Sequence, residues 1–103
     1  MKILILITAF NVEKLISKVI DRLPDEIKTN KIYYEILIID DASSDDTLAE
    51  IIKIKENFDE LKITCLSNKK NLGYGGNQKI GYFYAIKNKF DYVVLLHGDG
   101  QYA

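Results

Sequence analysis

Two periodicities alternate along this chain, and that alternation limits the folds open to it more than any other feature. Residues 3–8 form a continuous apolar, β-branched run, the pattern of a strand covered on both faces. Val12, Leu15, Ile16, Val19, Ile20 and Leu23 then recur at the spacing of one helix face, with Asn11 as the candidate N-cap and Pro24 as the stop. Residues 34–40 repeat the strand pattern. Ser43, Ser44 or Asp45 can cap a second helix whose apolar face is Leu48, Ile51, Ile52 and Phe58. Residues 61–67 read as a third, weaker strand. A Gly-rich loop over 71–77 opens a third helix carrying Ile80, Phe83, Tyr84 and Ala85, and residues 92–96 make a fourth strand. The order β-α-β-α-β-α-β predicts a Rossmann-like, three-layer α/β/α fold with a mainly parallel sheet and right-handed crossovers. Residues 1–103 read as one domain, without repeats or a linker.

Charge and cysteine content exclude several classes. A net charge of −1 argues against a nucleic-acid binder relying on bulk positive potential. Arg22 is the sole arginine among 14 cationic residues, which suits a solvated surface better than bidentate phosphate recognition. Cys65 is alone, so neither an internal disulfide nor a Cys-based zinc site can form, and a buried strand position in a reducing, cytoplasmic compartment is expected. No apolar run reaches the roughly 18 residues of a membrane span. The short apolar N-terminus lacks a small-residue cleavage site and reads as a strand.

The polar clusters all fall where strands are predicted to end, which is where open parallel sheets bind ligands. Asp40 and Asp41 are adjacent carboxylates ahead of the second helix. Capping explains Ser44 to Asp46 well but these two less well, so a ligand role is expected for at least one; a carboxylate can accept the ring N–H of uracil or guanine. In Asn71-Leu72-Gly73-Tyr74-Gly75-Gly76-Asn77 the glycines permit close backbone approach and the following helix N-terminus favours an anion. The spacing is neither the dinucleotide fingerprint nor a P-loop, and a plain tight turn stays open. His97, Asp99 and Gln101 alternate beyond the fourth strand and could share one divalent cation, Mn²⁺ or Mg²⁺, with substrate phosphates completing the shell; a hydrogen-bonding His beside a turn at Gly98 and Gly100 is the plainer alternative.

Together these segments resemble the nucleotide-binding half of a family 2 glycosyltransferase of GT-A fold. Thr8-Ala9-Phe10-Asn11-Val12-Glu13 matches the segment after the family's first strand, and Asp40-Asp41-Ala42-Ser43-Ser44-Asp45-Asp46-Thr47 matches its Asp-Asp-Gly-Ser-x-Asp-x-Thr. Asn71-x-Gly73-x-Gly75-Gly76, continuing to Gly81 and Ala85, resembles the polyprenyl-phosphate sugar transferase branch, and His97-Gly98-Asp99-Gly100-Gln101 the Asp-x-Asp-x-Gln segment. The resemblance covers the whole chain in order. It implies a nucleoside-diphosphate sugar donor (UDP- or GDP-sugar), with Thr8 and Phe10 lining the base pocket and Asp41 accepting from the base. Asn11 and Glu13 would shape the first loop, Gly73 would allow close approach, and Lys79 would face the diphosphate. Asp99 and Gln101, with His97, would hold the metal. Three departures stand out: Thr8 replaces a common Pro, Ala42 replaces a Gly and so disfavours positive φ, and His97 replaces the first Asp of the metal motif, which suits Mn²⁺ better than Mg²⁺. Family members are much longer. The chain is therefore expected to be a truncated N-terminal part, lacking the acceptor half and inactive alone, with any general base beyond residue 103; an uncovered sheet edge or helix face is expected to favour homo-oligomers.

Two other readings compete. Residues 36–41 mimic the acidic strand end of a receiver-like signalling domain, but receivers carry that pair after their first strand; phosphorylation by a small phosphodonor would discriminate. A non-catalytic nucleotide-binding module on the same fold is the other.

Overall fold

The computed structural model describes residues 1–23, 33–58 and 61–98. Its elements follow the predicted alternation: β1 (Lys2–Ala9), α1 (Ile16–Asp21), β2 (Tyr33–Asp40), α2 (Thr47–Asn57), β3 (Ile63–Ser67), α3 (Gly73–Lys87) and β4 (Tyr92–His97). All four strands are parallel, in the order β3-β2-β1-β4. Leucines and isoleucines explain the two-sided burial, because successive residues face opposite layers. Ile5, Ile7, Ile36 and Ile38 pack with Ile16, Val19 and Ile20 of α1 and Ile51 and Ile54 of α2. Leu4, Leu6, Leu37 and Ile39 face the other way, against Ala85, Ile80 and Tyr84 of α3. The sheet is thus sandwiched, and the receiver reading fails on topology: that fold sets its first strand beside its third, whereas here β1 lies between β2 and β4.

Three local expectations are corrected. α1 begins at Ile16 rather than after Asn11, with Leu15 as its uncapped N-cap and Asn11 at φ 51°. The Gly-rich segment is largely helix, since α3 already starts at Gly73. Ile52 and Phe83, assigned to buried faces, are 47% and 69% exposed. Pro24 lies outside the described residues. Cys65 is half-buried, and burial followed by the nearby Asp40 charge raises its pKa, so the thiol is unreactive at neutral pH.

Glycine matters at one packing point. A Cβ on Gly81 would lie 2.2 Å from Leu6 Cδ2, so α3 seats on β1 only because this position has no side chain. At the far end of the sheet, buried Glu35 accepts from the Tyr33 hydroxyl at 2.6 Å and pairs with Lys2 and Lys62 at 3.7 and 3.6 Å.

Candidate functional site

In the order β3-β2-β1-β4 the chain leaves β1 toward one side of the sheet and returns to β4 on the other, so the switch point lies between β1 and β4. A crevice must open there, beyond the carboxyl ends. It is a cleft of about 340 Å³ lined by Thr8 at the end of β1, Phe10 and Val12 after it, Asp41 after β2, Asn71 just before α3, Gly73, Tyr74 and Asn77 in its first turns, and His97 and Gly98 at the end of β4. Ladder bonds continue past the strands and hold these loops in place: Asp41 N donates to Ala9 O, Asn68 N to Asp40 O and Gly98 N to Thr8 O.

The adjacent aspartates do different work. Asp40 accepts from the hydroxyls of Ser43 at 2.5 Å and Ser67 at 3.4 Å, so it braces its own loop. Asp41 is 4% exposed and takes the N-terminus of α3: Oδ1 accepts from Leu72 N at 2.8 Å and Asn68 Nδ2 at 2.9 Å, and Oδ2 from Gly73 N at 3.0 Å. The anion expected at that helix end is therefore a side chain of this protein. Burial pushes its carboxyl pKa up, but the Leu72 N–H, the Asn68 amide, the Gly73 N–H and the Asn77 amide outweigh burial and hold it below the usual aspartate value. Asp41 also lines the cleft, and a carboxylate oxygen can accept more than one donor.

Asn68 and Asn77 were not singled out from the sequence. Asn77 is 2% exposed and accepts from Asn68 Nδ2 at 2.8 Å. Its signal was legible: with Gly81 and Ala85 it occupies the buried stripe of α3, where an amide has no place unless it has a partner.

A second network ties the loop after β1 to the loop after β2. Asn11 N donates to Ser43 Oγ at 3.0 Å, Val12 N to Thr47 Oγ1 at 2.9 Å and Glu13 N to Asp45 Oδ2 at 3.4 Å. In return the Asn11 side-chain oxygen accepts from Ser44 N at 2.9 Å. Thr47 N and Oγ1 both donate to Asp45, which holds its pKa down, the hydroxyl contributing most. Three consecutive backbone donors, at residues 11–13, are thus satisfied from the next loop, and Leu15 N and Ile16 N donate to Val12 O in the turn that leads into α1. Asn11 and Glu13 line a separate cavity of about 440 Å³ beside this network, outside the main cleft.

Ala42 adopts φ 58° despite its Cβ. A left-handed alanine costs about 1–2 kcal/mol, partly offset by the unfolded-state entropy a glycine would add, about 0.4–1 kcal/mol. Ala42→Gly is expected to stabilise the protein by roughly 0.5–1 kcal/mol, read as a rise of a few degrees in Tm by calorimetry.

Thr8, Phe10, Asp41, Gly73 and His97 thus meet at one cleft. His97 Nδ1 lies 3.4 Å from Thr8 Oγ1, and its ring sits 4.9 Å from that of Tyr74. Lys79 is exposed, stands two residues before buried Gly81 on nearly the opposite side of α3, and is not among the residues lining the cleft. Asp99 and Gln101 lie outside the described residues. Among the described residues no three His, Cys, Asp or Glu side chains cluster to hold a metal, and no helix is long and apolar enough to cross a membrane. Of the described groups at the cleft, His97 is the imidazole a cation could use, since Asp41 is largely occupied by N–H donors; a metal here depends on Asp99 and Gln101.

Solved structures share this architecture. The mannosyltransferase PcManGT from Pyrobaculum calidifontis, in complex with GDP-Man and Mn²⁺, superposes with a TM-score of 0.81 at 19% identity over 94% of this chain and 27% of its own. S. aureus TarS 1-349 in complex with UDP-GlcNAc gives 0.72 at 24% identity over 96% and 27%. GalNAc-T7 with UDP, GalNAc and Mn²⁺ gives 0.60 at 20% identity over 94% and 18%. The chain therefore spans about a quarter of the length of the first two, and the likeness establishes the GT-A type of α/β fold. No curated protein sequence matches it. The model of glycosyl transferase family 2 matches residues 4–103, and with that match over nearly its full length the chain belongs to this family.

Proposed function

We propose that this chain forms the donor-binding part of a glycosyltransferase, holding a nucleoside-diphosphate sugar in the cleft between β1 and β4. The observation that carries the reading is the convergence of Thr8, Phe10, Asp41, Gly73 and His97 from four separated segments at the switch point of a family 2 chain. The crystallised neighbours that hold GDP-Man, UDP-GlcNAc or UDP support a nucleotide donor of this type. In this reading the exposed Phe10 ring and the Thr8 hydroxyl flank the base, and the Asp41 carboxylate accepts from its ring N–H. Asn11 and Glu13 act through backbone placement: their N–H groups, held by Ser43 and Asp45, set the course of the loop bearing Phe10. Gly73, at φ 75°, lets the backbone of α3 approach the donor. Asp99, with Gln101 and His97, would hold a divalent metal, Mn²⁺ by preference for the imidazole. Such an ion would neutralise charge on the departing diphosphate as the sugar passes to an acceptor hydroxyl or phosphate. The glycine pattern from Asn71 to Gly81 points to the lipid-phosphate branch of acceptors.

Calorimetric titration with UDP- and GDP-sugars, with and without Mn²⁺, tests this. One of the two donors is expected to bind, and Phe10→Ala and Asp99→Ala are each expected to weaken it tenfold or more, about 1.4 kcal/mol, with unchanged thermal unfolding. Absence of any binding, or binding indifferent to both substitutions, overturns the proposal.

A further inference from the structure

The outer face of α3 combines two features that no part of the cleft uses. Phe83 is 69% and Ile86 78% exposed, with Tyr82 at 43% beside them. Spacings of three and four residues along a helix place all three on one stripe, opposite the buried Asn77, Gly81 and Ala85. Lys79 and Lys87 lie on or beside this stripe, and the segments joined to either end of the helix are cationic as well. Residues 69–90 contain five lysines, Lys69, Lys70, Lys79, Lys87 and Lys89, and not one Asp or Glu, in a chain whose net charge is −1. All five are exposed, and none forms an ion pair with a described carboxylate. Lys79 lies one turn before Phe83, and Lys87 one turn after it.

We infer that this face docks on an anionic lipid surface, with Phe83 and Ile86 entering the boundary between headgroups and acyl chains and the lysines meeting headgroup phosphates. Charge selects that occupant. A second copy of the chain, brought face to face about a two-fold axis, would set lysines against lysines. An anionic bilayer offers both what the stripe requires: an apolar layer a few ångströms deep for the rings, and negative charge at the level of the ammonium groups. The cleft opens at the N-terminal end of the same helix, so a docked α3 would hold the cleft beside the lipid surface and not buried in it.

Vesicle co-sedimentation tests this with the whole chain. Phosphatidylcholine vesicles carrying about 30 mol% phosphatidylglycerol are expected to bind the protein at least about tenfold more strongly than phosphatidylcholine alone, and salt near 0.5 M to reverse most of the difference. Phe83→Asp with Ile86→Asp, and separately Lys87→Glu with Lys89→Glu, are each expected to lower partitioning about tenfold or more. These side chains are exposed, so thermal unfolding should be unaltered and the folded state can be verified in the same samples. Equal binding to neutral vesicles, no binding to either kind, or retention of binding in the Phe83/Ile86 variant overturns the inference. So does self-association in sedimentation velocity that the same variant abolishes, which would make a second copy the occupant.

Discussion

Asp41→Ala should be the most damaging single substitution at the cleft, lowering stability by about 3 kcal/mol, or roughly 15 °C in Tm. The carboxylate accepts three hydrogen bonds, from Leu72 N, Asn68 Nδ2 and Gly73 N. Bonds to a charged group contribute about 1.5–3 kcal/mol each, and water entering the alanine site recovers part of the loss. Removing it uncaps a 15-residue helix whose N-terminus has no other side-chain cap. Because the first turn of α3 is also a wall of the cleft, nucleotide binding should vanish along with the stability. Asp41→Asn separates charge from shape. The folded-state pKa is depressed, so the stability it confers is fully present above the ordinary aspartate pKa and is lost as pH falls through the lower folded value. Urea unfolding of the wild type and Asp41→Asn should therefore differ most at neutral pH, with the difference starting to shrink below about pH 4 and closing only below the depressed folded value. A difference that persists or grows in acid would show that the carboxylate charge is not what α3 relies on.

Gly81→Val is expected to cost about 3 kcal/mol or more, by overpacking rather than by loss of any contact. A Cβ at this position meets Leu6 Cδ2 at 2.2 Å, Cδ1 at 2.8 Å and Cγ at 3.0 Å, and Leu6 is fully buried in the sheet. Leu6 cannot yield without disturbing its neighbours, so α3 must lift from β1. Gly81→Ala should lose less, about 1–2 kcal/mol, since alanine regains about 1 kcal/mol of helix propensity. Both should also weaken nucleotide binding, because Tyr74 and Asn77 ride on the same helix. Leu6→Ala alone should cost about 2–5 kcal/mol through its cavity. Combined with Gly81→Ala, the loss should fall short of the sum, as the new methyl enters the vacated space. Additive losses in denaturant unfolding would contradict the packing account.

Where the sequence misled, long-range hydrogen bonds overrode a local preference. The apolar spacing from Val12 to Leu23 reads as one helix, yet Val12 and Glu13 donate their N–H groups to Thr47 and Asp45, more than thirty residues away, and α1 starts only at Ile16. Ala42 argued against positive φ, yet the tight return between β2 and α2 imposes it. The glycines of residues 73–76 read as a loop because they permit close backbone approach, but α3 already starts at Gly73, with Asp41 accepting from its first turn from outside the segment. Phe83 reads as part of the apolar set of the third helix, yet helical phase turns it outward.

The residues by themselves determined the layering: strands apolar on both faces must lie between helices, and single polar clusters must then gather at the strand ends. They also carried the family, because four short motifs in register survive without any coordinates. Only the tertiary structure decided which acid braces a loop and which caps a helix, that Asn68 and Asn77 complete the cap, and that Lys79 belongs to an outer surface. The reason is physical: periodicity reports which face of an element is buried, whereas the partner of a polar group is set by chain segments that come together only when the sheet closes its order β3-β2-β1-β4.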